Sequence, residues 1–145
     1  MKAFRFPLER ALQVRRTQLE VERSQLQILL HQREQLELQG AGILTEAAST
    51  RRAITKELLL KTHEISTVPD YQRNTKLRLA RLDRQKQELI KMTQDQKRLT
   101  LEAERKVKLL EQLRDKRLSE WNSLAQKEQE TFAADAYLAR WTVTH

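Results

Sequence analysis

Leucines recur at heptad intervals from the first turns of the chain. Leu12, Leu19 and Leu26 form one row, and Leu8, Leu29 and Leu36 fill the alternate core position. Residues three and four apart share a helix face, so the two rows predict one amphipathic helix with a single apolar seam. Phe6-Pro7 marks its start, because proline at the first helical position loses no needed hydrogen bond. Arg15, Glu22 and Arg33 also fall on core-type positions, where polar residues weaken packing but fix register or partner choice.

Gly40-Ala41-Gly42 interrupts this pattern. Two glycines inside a helix cost roughly 2 kcal/mol relative to alanine. The apolar pattern then resumes through Leu44, Ala47, Ile54, Leu58 and Ile65, which favours a kink in one continuous helix over a true turn. A turn there would give three helices instead. The stronger break is Ser66-Thr67-Val68-Pro69-Asp70. Proline cannot continue a helix interior, and it pushes the preceding residue toward extended geometry. Asp70 is suited to cap the helix that follows.

From there the chain runs to its end without glycine or proline. Leu79, Leu82, Leu89, Ala103, Val107, Leu110, Trp121 and Leu124 keep two heptad rows going, thinned by Thr93, Gln96 and Thr100. This predicts a single helix of roughly 100 Å at 1.5 Å per residue. Neither stripe is wide enough to hold a helix folded alone, and a short connection makes consecutive helices antiparallel neighbours. The expected fold class is therefore all-α: two long helices in an antiparallel coiled-coil hairpin. It is expected as a single domain over 1–145, with helix 8–66, turn 66–70 and helix 71–138. A reversal near residue 68 places Leu12 near Leu124, Leu29 near Val107, His31 near Arg105 and His63 near Arg73. A parallel homodimer of single chains would also bury both stripes, but the break at Pro69 favours the hairpin.

Composition narrows the function classes. The chain of 145 residues is 33% charged, with only two glycines and two prolines, a mixture typical of long helices and not of a layered domain. The absence of cysteine removes disulfides, thiolate chemistry and cysteine-based zinc sites, and fits a reducing compartment. The N-terminus has no apolar core of a secretory signal. No run approaches the ~20 apolar residues of a membrane span, so the expected location is the cytoplasm. Net charge is +8. Between Arg73 and Lys108, twelve Lys or Arg face five Asp or Glu. That bias suits an acidic protein face, nucleic acid or an anionic membrane, or is simply a solvated basic face.

Catalytic chemistry finds little footing. His31, His63 and His145 are too scattered for a local metal motif. Carboxylates on exposed helices lack the burial that raises a pKa for acid catalysis. Gly40-Ala41-Gly42 lacks the lysine of a phosphate loop, and two helices enclose no substrate cavity. The expectation is a chain that is not an enzyme, with no cofactor, no metal and no small-molecule substrate. For a leucine-zipper DNA reader, Asn74 is present, but Leu77 and Arg78 stand where that motif needs small residues. Asp83, Glu88 and Asp95 interrupt the positive run, so nucleic acid is not the expected partner. Protein contacts are, and six of the seven aromatics (Phe4, Phe6, Trp121, Phe132, Tyr137 and Trp141) would gather at the open end of a hairpin, with Tyr71 at the closed tip. Aromatic residues are enriched at binding hot spots. They also plug fraying ends, the preferred reading for Trp121 and Phe132.

The ends of the chain resemble the FliJ-type flagellar export family. Phe4-Arg5-Phe6-Pro7-Leu8, then Leu12, Arg15-Arg16 and Glu20 or Glu22, is similar to that family's opening. Tyr71-Gln72 is similar to its entry into the second helix. Leu110-Glu111-Gln112-Leu113-Arg114-Asp115-Lys116-Arg117 with Trp121, and an acidic-aromatic tail to Trp141, is similar to its close. The resemblance implies a cytosolic part of the type III export apparatus, peripheral to the inner-membrane export gate. It implies a central-stalk-like link between the hexameric export ATPase ring and that gate, and an escort for export chaperones. It places Arg15, Arg16, Arg114, Arg117 and Trp121 at the ATPase. Tyr71, Asn74, Arg78, Arg81 and Gln85 would stand at the gate, where only Tyr71 matches the family's apolar pattern. The departure points to a more electrostatic gate contact. Two alternatives stay open: the equivalent stalk of a virulence-type secretion system, and a passive structural coiled-coil spacer.

Overall fold

The computed structural model describes residues 2–60 and 68–144. Two helices account for nearly all of them: α1, Glu9–Leu60, and α2, Val68–Thr144. They pack against each other as an all-α helical hairpin. The Phe6 carbonyl accepts from the Glu9 amide at 3.1 Å, so Pro7 sits in the turn that opens α1, as the sequence predicts. Gly40 and Gly42 lie within the uninterrupted α1, neither with a positive φ. The three-helix alternative is thereby excluded.

Helix bounds differ from expectation around the proline. Val68, Pro69 and Asp70 belong to the first turn of α2. The first amides of a helix have no intrahelical acceptor, so proline there removes nothing. It begins the helix instead of sitting in a turn. Residues 61–67, which include the expected end of the first helix, Ile65, His63 and Ser66-Thr67, lie outside the described residues. At the other end α2 continues past 138 to Thr144.

The packing falls into two compact units. The first joins Met1–Glu20 with Leu101–His145, and the second is Val21–Thr100. In the first unit Leu12, Leu19 and Val107 form a buried cluster, with Ala103 and Leu110 packed on it. Phe6 is buried as well. In the second unit the buried positions of α2 are Leu82, Leu89, Thr93, Gln96 and Thr100. From α1 they are met by the half-buried stripe Glu22, Leu26, Leu29, Leu36, Gly40, Ile43, Ala47, Thr50 and Ile54. That stripe runs in steps of four and three except between Leu29 and Leu36, where the exposed Arg33 stands at the position between them and the heptad phase is kept.

The stagger between the helices is not the expected one. Leu12 clusters with Val107 and not with Leu124, which is exposed. Leu29 meets Met92 and Gln96 along one groove and not Val107. His31 bonds Gln35 at 3.2 Å on its own helix, and not Arg105. The helices are thus displaced by about two heptads from the reversal assumed at residue 68. Sliding one heptad row past another by seven residues preserves every leucine match, so the rows alone leave the stagger open. Two smaller corrections lie within α1 itself. Leu44 points outward while Ile43 points in, and Arg33 is exposed, paired with Glu37 at 3.5 Å.

Candidate functional sites: an aromatic-cationic groove and a polar-basic helix face

In the first unit, Phe4 stacks tilted against Trp121, ring centroids 6.2 Å apart at 57°. Tilted packing at this separation is a favourable aromatic geometry. The segment before α1 lies beside α2 here, and the two frame an open groove. Lys2, Phe4, Arg5, Arg117, Trp121 and Leu124 line it. Arg117 is exposed and Trp121 half-exposed. The groove therefore offers aromatic faces among three cations, with Glu120 the carboxylate in its lining. That combination suits an acidic or aromatic protein segment.

The five residues expected at the ATPase divide into two groups. Arg117 and Trp121 line the groove. Arg15, Arg16 and Arg114 are engaged within the hairpin. Arg15 donates to Gln18 at 3.3 Å, one turn along α1. Arg16 donates to Glu111 at 3.1 Å, across to α2. The Nε of Arg114 is buried and pairs with Glu9 at 3.4 Å as an ion pair without hydrogen-bond geometry. These two cross-helix pairs hold a stagger more than they advertise a surface. Glu9 and Glu111 were invisible as partners in the sequence, because pairing them requires the stagger.

Within the second unit, Tyr71 leans onto α1, its hydroxyl donating to Thr50 Oγ1 at 3.2 Å. Its carbonyl accepts from Thr75 Oγ1 at 3.0 Å. Arg78 reaches Glu46 at 3.7 Å. Asn74, Arg81 and Gln85 are exposed on the same helix. This face is polar and basic, and Tyr71 is only half exposed. The single aromatic expected to meet a gate is therefore already half used in packing the hairpin.

The same unit contains a polar layer in its seam. Thr93 and Thr100 are buried, and their hydroxyls donate to the carbonyls of Leu89 at 2.7 Å and Gln96 at 2.8 Å. Returning hydroxyls of this kind satisfy a buried threonine without a partner helix. Across the seam, Gln96 donates to the Glu22 carbonyl at 3.1 Å and also to the Glu22 carboxylate, and the Thr100 hydroxyl reaches the same carbonyl at 3.5 Å. Glu22 is thus a seam residue, as its heptad position predicts.

Among the described residues, no group of three or more His, Asp or Glu is placed to hold a metal ion. No described helix is long and apolar enough to cross a membrane. Comparison with protein-family models, with curated proteins and with solved structures found no match.

Proposed function

We propose that this chain is a non-enzymatic coupling protein of a flagellar type III export apparatus, working in the cytoplasm beside the export gate. In this reading the Phe4–Trp121 groove meets the hexameric export ATPase, and the Tyr71–Gln85 face meets the cytoplasmic part of the gate protein. Export chaperones are its further partners. One observation carries the reading: the segments that resemble the FliJ-type family at the two ends of the sequence, Phe4-Arg5-Phe6 and Arg117 with Trp121, come together in one exposed groove. Residues more than a hundred positions apart form a single aromatic-cationic surface. A passive spacer has no need of one. Supporting it, both proposed contact sets on the second helix belong to the uninterrupted α2.

The test is retention of the export ATPase by the immobilised chain, from an extract of flagellated cells and then with purified ATPase. Trp121→Ala and Arg117→Glu should each lower retention about tenfold, the loss of one hot-spot side chain. Arg33→Ala, on an exposed flank of the second unit, should leave it unchanged. Failure of the unaltered chain to retain or stimulate the ATPase would return the molecule to the spacer class. Gate binding should fall as salt rises from low to physiological strength, since the proposed face is polar and basic.

A further inference from the structure

Beyond Ala125, every described residue of α2 is exposed up to Thr144. This stretch carries a high apolar load for a helix in water. From Thr131 to Thr144 the only charged side chains are Asp135 and Arg140. Phe132 is 76% exposed and Val143 87%. The Phe132 and Val143 side of this helix is an apolar face open to a partner.

Its spacing says which. Ala125, Gln129, Phe132, Ala136, Ala139 and Val143 follow one another in alternating steps of four and three. That is the core row of a heptad, with Phe132 and Ala139 on one alternate position and Ala136 and Val143 on the other. Asp135 then falls just before one core position and Arg140 just after the next, on opposite flanks of the stripe. When two such helices pair in parallel, each left flank lies beside the partner's right flank, five residues further on. Asp135 of one copy then stands beside Arg140 of the other, and the twofold axis repeats the pair. In an antiparallel pair like flanks meet, so aspartate shares a flank with aspartate and arginine with arginine. Charge thus selects the parallel arrangement, and the alanines at the centre let the two backbones approach closely.

We propose that residues 125–143 of α2 are a self-association element, pairing in parallel and in register with the same stretch of a second copy of this chain. Gln129 against Gln129 supplies a polar layer that favours two strands in one register. The overlap spans fewer than three heptads, less than a standard stable interface buries. Association is therefore reversible and rises with protein concentration. Tyr137 and Leu138 lie on the opposite side of α2 from the stripe and stay uncovered in the pair. The proposal does not depend on the export reading, and its test uses the purified chain alone.

Sedimentation equilibrium over a concentration series should show monomer converting to dimer. Phe132→Asp should raise the dimer dissociation constant at least tenfold, with helix content unchanged because the site is exposed. Asp135→Arg replaces two attractions with two repulsions and should weaken the dimer about fivefold. The charge swap Asp135→Arg with Arg140→Asp should restore it. Orientation is read by disulfide trapping, since the chain has no cysteine of its own. Val143→Cys should oxidise to a covalent dimer, because parallel pairing sets the two 143 positions face to face. A monomer at every concentration would overturn the proposal. So would a dimer indifferent to Phe132→Asp, a charge swap that restores nothing, or trapping only between Val143→Cys and Phe132→Cys chains.

Discussion

The two units fill one heptad pattern differently. In the first, the seam is closed by Leu12, Leu19 and Val107, with Leu12 fully buried. In the second, three successive seam positions of α2 are Thr93, Gln96 and Thr100, crossed by a hydrogen-bonded Glu22. Apolar layers stabilise strongly but are interchangeable, because leucine meets leucine equally well one heptad away. Polar layers stabilise weakly but recognise one partner, because Gln96 finds an acceptor at Glu22 and not at Leu29. The apolar layers thus supply most of the stability, while the stagger is held by polar pairs in both units: Gln96–Glu22 in the second, Arg16–Glu111 and Arg114–Glu9 in the first.

The largest effect should come from breaking the apolar side of this contrast. Leu12→Ala removes a fully buried side chain and should cost about 3 kcal/mol, within the range for such cavities. Leu26→Ala, at a half-buried position of the second unit, should cost about half as much. Urea unfolding of the two variants measures both. Equal costs would mean that burial does not distinguish the units.

The polar side is sharpened by replacing it. Glu22→Leu with Gln96→Leu turns the crossed layer into an apolar one and should raise stability by about 2 kcal/mol, as buried polar sets often do when replaced together. Gln96→Leu alone should gain less, because it removes the donor to Glu22 while leaving the acid beside the seam. A double Leu variant less stable than the unaltered chain would show that the polar layer is a net source of stability.

This division explains how much could be read from the sequence. The helices, the inward facing of Leu12, Leu19, Leu82 and Leu89, and the seam placement of Glu22, Thr93, Gln96 and Thr100 follow from local periodicity, and the structure contains them, whereas Leu8, Leu44 and Leu124 are exposed. The stagger does not, since it rests on pairs such as Arg16–Glu111, Glu9–Arg114 and Glu46–Arg78 that match only after the helices are aligned. The error travelled to the sites. Assuming two heptads too many set Leu124 in the core and treated Phe132 as a plug, whereas both are exposed. Phe4 and Trp121 survived the shift because both lie at the end of the first unit, where resemblance and geometry meet. Arg16 and Arg114 did not stand out as structural arginines, because their partners depend on the alignment.

The smallest effect concerns the glycines, which stand on two sides of α1 within the second unit. Gly40 stands on the seam stripe of the second unit, among Leu79, Leu82 and Lys86, while Gly42 is on the outer surface. Neither position would bring an added Cβ within 4 Å of another group. Both residues are helical without a positive φ, so alanine fits the backbone at each. Helix propensity alone should make Gly40→Ala and Gly42→Ala each about 1 kcal/mol stabilising. The two gains should agree within a few tenths of a kcal/mol, because neither added methyl gains a packing contact. Thermal unfolding of the two single variants reads the difference directly. If Gly42→Ala proves the more stabilising, the glycine in the seam is a close-packing position, and the second unit is tighter at Gly40 than its open groove indicates.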